Sequence, residues 1–471
     1  MAAKETRPAF RGLEGKTPQE LFQALPTPCY MIDEKKLREN GKVLASVSRN
    51  TGCKILLAQK AFSNYDCYPV LSEYLAGTEA SGLYEARLGA EEMPEKEVHV
   101  FCGAYREDEF DELLQYADHI VFNSPRQLKK FGKKAKRAGK SLGLRINPEC
   151  STQDGHAIYD PCAPGSRLGT TRAVWDKEMT EELVSLLDGL HFHTLCEQDA
   201  GDLETTLRAV EETFGDILPK MKWLNMGGGH HITKPGYNIS KLEQCIWYAK
   251  KTWKVDVYLE PGEAVALNAG YFASRVLDIV QNGETKIAIL DASAACHMPD
   301  VIEMPYTPPL YGARETVCCA GTAQGSASQS GDVLVNVTGA TQGENTVAAT
   351  AEIVAVDGNE TAQEYCEKLP GNNCGQNVQY RYRLAGPTCL AGDVIGDYSF
   401  ERKLKEGDLL VFGDMAIYTT CKNNTFNGMP LPQIWKRTEE GELVRLTEFG
   451  YEEFKRRLGG NLRCTDEEQG E

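Results

Sequence analysis

The sequence has 471 residues, 41% hydrophobic and 25% charged, which fits a globular chain with two cores, one larger than the other. It holds no run of about 18 apolar residues, so no membrane span or membrane partner is expected, and Met1 to Gly15 lacks an apolar signal-peptide core, so the expected location is cytoplasmic. The formal charge of −17 argues against nucleic acid as a partner and mildly favours cationic ligands.

The 16 cysteines form no CxxC pair, and no Cys/His cluster has zinc-ligand spacing, so no metal is expected. Most read as reduced thiols acting as small apolar residues.

In chain order, a strand-like segment at Thr27–Ile32 precedes a helix at Glu34–Val47. Eight strand-like runs follow: Lys54–Lys60, Gly77–Ser81, Val98–Gly103, His119–Asn123, Leu142–Asn147, Leu190–Thr194, Trp223–Gly227 and Val255–Glu260. Between them lie segments with apolar residues at helical spacing, such as Leu203, Leu207 and Val210. Eight strands alternating with helices predict an α/β fold, a (β/α)8 TIM barrel. After about Gly270 strands follow one another through turns: Val276–Val280, Lys286–Leu290, Gln379–Leu384 and Asp408–Phe412. These predict a second, all-β domain. The expected division is a barrel over residues 33–272, with residues 1–32 and 273–471 forming the β-rich part. An insertion at about 313–378, rich in small polar residues, carries strand candidates at Val333–Thr338 and Thr346–Val356 and reads as a hairpin or a mobile loop. Its four cysteines, Cys318, Cys319, Cys366 and Cys374, could bind a metal or form a disulfide, and free thiols are the preferred reading.

A (β/α)8 barrel places its chemistry at the C-terminal ends of its strands. Those ends supply Lys60, Glu79 to Gly82, Arg145, His193, Gly227 to Gly229, and Glu260 with Glu263. A lysine leaving an apolar strand is either solvated or desolvated enough to attack an aldehyde as a free amine. Gly227-Gly228-Gly229 is a tight turn or a phosphate cradle, since glycines let backbone N–H groups approach an anion. Glu260 either meets a pyridine nitrogen or pairs with Arg145 across the rim, and both can hold at once. His193 can stack on a flat ring. By alternation, His191 faces the same way as His193. Lys, His, Gly-Gly-Gly and Glu thus occur in order at the ends of strands one, six, seven and eight.

These residues resemble the fold-type III pyridoxal-phosphate decarboxylases, which include the ornithine, diaminopimelate and biosynthetic arginine decarboxylases and share an alanine racemase-like architecture. Within them the chain is most similar to the carboxynorspermidine/carboxyspermidine decarboxylases. The residues carrying that likeness are Thr27-Pro28-Cys29-Tyr30, Gly189 through Glu197, Glu260-Pro261-Gly262-Glu263-Ala264, His297-Met298-Pro299-Asp300, Glu303-Met304-Pro305-Tyr306, Gly386 through Tyr398 and Thr425-Phe426-Asn427-Gly428. The match runs from about Leu25 to Trp435, apart from the insertion.

The resemblance implies pyridoxal 5'-phosphate as cofactor, carried by Lys60. It implies that His193 stacks on the ring, that Glu260 meets its nitrogen, and that Gly227, Gly228, Gly229 and Tyr418 hold the phosphate beside Arg145. Cys389 is implied as the proton donor after CO₂ loss, reaching the active site of a second subunit, so the expected assembly is a homodimer with shared sites. The implied reaction is decarboxylation of carboxyspermidine or carboxynorspermidine to spermidine or norspermidine in polyamine biosynthesis. The alternatives are another basic amino-acid decarboxylase, a racemase, or a non-catalytic polyamine- or partner-binding homologue. Cationic amines on the substrate call for acids, and Asp300, Glu303, Asp393 and Asp397 are the candidates. One departure stands out: many relatives have a phosphate-binding arginine where this chain has Glu263.

Overall fold

The computed structural model describes residues 18–153, 160–315, 333–335, 353–355 and 380–460. Strand β1 (Cys29–Asp33) leads into a helix over Glu34–Thr51, which starts on the Asp33 side chain and stops at Gly52 in the left-handed conformation. Eight parallel strands then close a barrel: β2 (Lys54–Ala58), β3 (Gly77–Ala80), β4 (Glu97–Phe101), β5 (His119–Phe122), β6 (Ser141–Arg145), β7 (Gly189–His191), β8 (Trp223–Asn225) and β9 (Asp256–Leu259). Ile55, Leu56 and Leu57 are each wholly buried, because an apolar run in a barrel wall meets helices outside and the plug of side chains inside.

That plug is built from complementary sizes. Trp223 fills the space left by two glycines on neighbouring strands, for a Cβ on Gly143 or Gly189 would sit 2.4 or 2.0 Å from its ring. Leu56, Val121 and Tyr258 pack with it. The interior is a solid core, and any pocket has to lie at its rim.

The remaining strands are β10 (Gly270–Asn282), β11 (Thr285–Leu290), β12 (Ala313–Glu315), β13 (Val333–Val335), β14 (Ile353–Ala355), β15 (Tyr380–Ala385), β16 (Val394–Phe400), β17 (Leu409–Gly413), β18 (Gln433–Arg437) and β19 (Leu443–Thr447). All but β13 and β14 join β1 in one sheet, ordered β12-β16-β15-β11-β10-β1-β18-β19, with β17 also paired to β10. β1 lies antiparallel to β10 and parallel to β18. Its alternation divides it between two cores: Tyr30 and Ile32 join the main core, while Cys29 and Met31 pack with Phe22 and Tyr271. Strands β13 and β14, within the segment read as a hairpin or a loop, pair antiparallel. Cys318, Cys319, Cys366 and Cys374 lie outside the described residues.

Among the described residues no helix is long and apolar enough to cross a membrane. The barrel strands end one to three residues earlier than the apolar runs suggest. Lys60, His193, Gly227 and Glu260 therefore stand just past the ladder, where the backbone is free to turn.

Candidate active site

A cavity of about 230 Å³ opens at the C-terminal rim of the barrel. Lys60, Arg145, His193, Gly229, Glu260 and Tyr418 all line it, together with Cys196, Glu197, His230, His231 and Glu263.

Glu260, just beyond β9, is 3% exposed. His191 Nε2 donates to its Oε2 at 3.0 Å and Asn225 Nδ2 to its Oε1 at 2.5 Å. Burial works to raise its pKa, but the facing His191 and the hydrogen bonds from His191 and Asn225 outweigh it and hold the carboxyl below its ordinary value. Burial also keeps the His191 imidazole below its usual value. The neutral ring then needs only its Nε2–H, and its buried Nδ1 has no partner. Glu260 is thus an ionised carboxylate with lone pairs to spare, since a carboxylate offers about four acceptor sites.

The rim salt bridge between Glu260 and Arg145 is not formed. Arg145 Nη2 donates to the His193 carbonyl at 3.0 Å, and its guanidinium lies 4.6 Å above the centre of the Phe101 ring. Burial lowers its pKa to about 10. It fixes the turn that presents His193. The His193 imidazole is held well below its usual value by burial and then by the nearby cations Lys60 and Arg145, so it presents a neutral flat ring. Its Nδ1 accepts from the Gly228 amide at 3.2 Å.

The glycine turn has no room for side chains. Gly227 and Gly229 adopt φ of +68° and +81°, and a Cβ there would meet the Phe192 carbonyl at 2.4 Å and the Leu195 carbonyl at 2.0 Å. A Cβ on Gly228 would meet the Glu260 carbonyl oxygen at 2.4 Å. Tyr418 closes the cavity from the sheet side. Its φ is +49°, an uncommon conformation for a large side chain, and its amide donates to the Ala61 carbonyl, next to Lys60. These residues fit a phosphorylated pyridine aldehyde: an amine for the aldehyde, a carboxylate for the ring nitrogen, a flat ring for its face, and a glycine cradle for the phosphate.

Of the residues expected to complete the site, several lie elsewhere. Cys389 is exposed in the turn between β15 and β16, its amide donating to Asn427 Oδ1 at 3.1 Å, and it does not line this cavity. Asp393 does not face the cavity as expected of a substrate ligand. It is 3% exposed, and its oxygens accept from Ser293 Oγ, the Ala295 amide and Thr388 Oγ1, so it anchors the turn that carries Cys389. Asp397 makes a two-pronged pair with Arg383 on β15. Asp300 and Glu303 both grip Lys422. None of these four acids lines the cavity; the acids that do, besides Glu260, are Glu197 and Glu263. Glu263 accepts from His231 Nε2 at 2.5 Å. Their positions just past β7 and β9 were the available sequence signal. Likewise His191 and Asn225, the partners of Glu260, stand two residues before His193 and Gly227 on the same strand faces.

Comparison with known proteins identifies the family. Residues 327–416 match the family described as pyridoxal-dependent decarboxylase, C-terminal sheet domain. The chain is 39% identical over 436 residues to a carboxynorspermidine/carboxyspermidine decarboxylase of Campylobacter jejuni, covering 93% of this chain and 99% of the relative. It is 36% identical over 439 residues to a carboxyaminopropylagmatine decarboxylase of a Synechocystis species, covering 93% and 97%. The crystal structure of carboxynorspermidine decarboxylase from Campylobacter jejuni, complexed with norspermidine, superposes with a TM-score of 0.73 at 38% identity, covering 92% of this chain and all of that one. With this likeness along nearly its whole length, the chain is a pyridoxal-phosphate-dependent carboxy-lyase and belongs to the carboxynorspermidine/carboxyspermidine decarboxylase family.

Proposed function

We propose that the protein decarboxylates carboxyspermidine or carboxynorspermidine, giving spermidine or norspermidine in polyamine biosynthesis. The observation that carries this reading is the convergence of Lys60, His193, Glu260 and Tyr418 on one cavity that Glu197 and Glu263 also line. Carboxylates at a pocket wall suit a substrate bearing ammonium groups beyond its reacting carbon. Asp300 and Glu303 stay near enough to share in this: their charges act on one another, and Asp300 also feels Glu197.

Bound pyridoxal phosphate supplies an electron sink for the charge left when CO₂ departs. Lys60 would hold the cofactor through its amine. Glu260, held ionised, would face the ring nitrogen and favour a proton there. His193, which lines the cavity, would cover one face of the ring and exclude water from it. The amides of Gly227 to Gly229 and the Tyr418 hydroxyl orient the phosphate, with Arg145 bracing the His193 turn. No arginine is needed at position 263, where Glu263 is turned toward His231.

Cys389 of a second subunit then gives a proton to the reacting carbon. Its exposure, with Leu390 and Phe426 exposed beside it, supports a homodimer in which this turn reaches across. Residues 33–272 would act as the cofactor-binding unit, and residues 1–32 and 273–471 would supply the donor turn. All 11 described cysteines are free thiols, which supports work in the cytoplasm.

The Synechocystis relative acts, by its name, on a carboxyaminopropyl derivative of agmatine, a longer cationic tail, and that is the second reading. The test is CO₂ release from the purified holoenzyme offered carboxyspermidine, carboxynorspermidine, carboxyaminopropylagmatine, diaminopimelate and ornithine. The reading predicts the highest kcat/KM on one of the first two. Preference for diaminopimelate or ornithine, or no CO₂ from any, would overturn it.

A further inference from the structure

Glu197, which lines the cavity just past β7, has a backbone φ of +55°, in the left-handed region that a long side chain rarely adopts. Such a conformation persists only where neighbouring contacts hold it. Here the residues on either side are both held. The Cys196 carbonyl accepts from Gln153 Nε2 at 3.2 Å. The Gln198 amide donates to the Gly229 carbonyl at 3.0 Å, and the Gln198 carbonyl accepts from the His231 amide at 3.3 Å. These two bonds carry the parallel pairing of β7 and β8 beyond the barrel wall.

The Gln198 side chain brings in a third segment, the chain that follows β6. Its Oε1 accepts from Thr152 Oγ1 at 3.0 Å and from Gln153 Nε2 at 2.6 Å, and its Nε2 donates to the Thr152 carbonyl at 2.6 Å. One side chain thus clasps residues 152–153 to the turn that carries Glu197.

That turn sets Glu197 against a second acid. One oxygen of Glu197, one oxygen of Glu263 and one ring nitrogen of His231 lie within 4.8 Å of one another. His231 is buried, and its Nε2 donates to Glu263 Oε2 at 2.5 Å, so Glu263 is oriented by a neighbour as well. Two oxygens that share one ammonium, each accepting a charge-assisted hydrogen bond of about 2.8 Å at tetrahedral angles, stand about 4.6 Å apart. Facing carboxylates repel one another until a cation lies between them.

We propose that Gln198 is a positioning residue: it holds Glu197 opposite Glu263 so that the two carboxylates take one ammonium group of the substrate between them. This rests on the reading of the substrate as a carboxylated polyamine. Gln198 acts only through Glu197, whose exposed side chain is directed by a backbone that the clasp fixes.

The test is a double-mutant cycle on the holoenzyme. KM and kcat are measured for carboxyspermidine and carboxynorspermidine in wild type, Glu197→Gln, Gln198→Leu and the double variant. A hydrogen bond to a charged group sets the expected size, so Glu197→Gln raises KM by about tenfold or more, with a smaller change in kcat. Gln198→Leu raises KM in the same sense, and adds nothing further in the Glu197→Gln background. A wild-type KM in either single variant, or multiplied effects in the double variant, would overturn the proposal and leave the function reading intact. No CO₂ from wild type with either substrate would overturn that reading, and this inference with it. If Gln198→Leu fails to hold the cofactor, Gln153→Leu replaces it in the cycle, for it removes the bonds to Gln198 Oε1 and the Cys196 carbonyl, and the same outcomes decide.

Discussion

His191 donates from Nε2 to Glu260 Oε2 across 3.0 Å, inside a barrel wall where both residues are almost wholly buried. This contact, with Asn225 on the other oxygen, keeps a carboxylate charged where burial alone would protonate it. In the proposed reaction, an ionised Glu260 is what lets the cofactor ring draw electrons from the substrate. Replacing it with Gln keeps the shape and removes the charge. Glu260→Gln is expected to lower kcat by on the order of 10²–10³, the cost of losing one preorganised electrostatic partner. The cofactor stays bound, because Lys60 and the glycine turn are untouched, and the visible band together with single-turnover rates would show this. Phe at position 191 should cause a smaller loss in the same direction.

A site completed by a second subunit makes a prediction that a self-contained site does not. Lys60→Ala and Cys389→Ala variants should each be nearly inactive alone. Mixed under conditions that allow subunit exchange, they should recover activity, up to about a quarter of wild type if subunits pair at random. The measurement is CO₂ release before and after mixing. No recovery, in a mixture shown to contain heterodimers, would place the proton donor within one chain.

Asp393 is expected to matter through the turn it anchors. Truncation to Ala leaves Ser293 Oγ, the Ala295 amide and Thr388 Oγ1 without their acceptor in a buried place. Each such loss costs about 1–3 kcal/mol, so urea unfolding should show a drop of about 2 kcal/mol or more. A direct substrate ligand would instead show a raised KM at unchanged stability.

Acid should destabilise the protein before its carboxylates titrate. Burial holds the pKa of His119 down at about 3, with His99 adding to the effect, and burial holds His230 and His297 at about 4. In the unfolded chain all three return to about 6.5. The unfolded state thus binds more protons, and stability falls as pH drops from about 6.5 toward 4. The acids Glu79, Asp33, Glu85 and Asp300, whose pKa values burial raises, release protons on unfolding and oppose this, while His191 and His193, also held below their usual value by burial, add to it, so that five histidines stand against four acids. Thermal unfolding at pH 7.5, 6.5, 5.5 and 4.5 should show a falling midpoint through that range. A constant midpoint down to pH 5 would contradict the buried neutral histidines.

The barrel was legible because most of its strands are short apolar runs repeated between helical segments, although β3, Gly77-Thr78-Glu79-Ala80, is not one. Strand ends were less so. The run Ile55 to Ala58 continues smoothly into Gln59 and Lys60, while the ladder stops where the chain must turn. On the sheet side, β18 and β19 mix apolar with charged residues, as in Gln433-Ile434-Trp435-Lys436-Arg437, and carry little periodic signal. The residues converging on the cavity could be read from strand-end positions, but the engagements of the four acids proposed for the substrate could not. Asp393 meets Ser293 from 100 residues away, and Asp300 meets Lys422 from 122. Only the folded chain shows that these acids are already engaged.

The account depends most directly on the bond between Lys60 and the cofactor. Borohydride reduction of the holoenzyme, followed by peptide mass mapping, fixes the cofactor to whichever lysine carries it. The expected result is one pyridoxyl-phosphate adduct per chain, on the peptide containing Lys60. An adduct on another lysine, or a reduced holoenzyme with none, would contradict the assignment of this site.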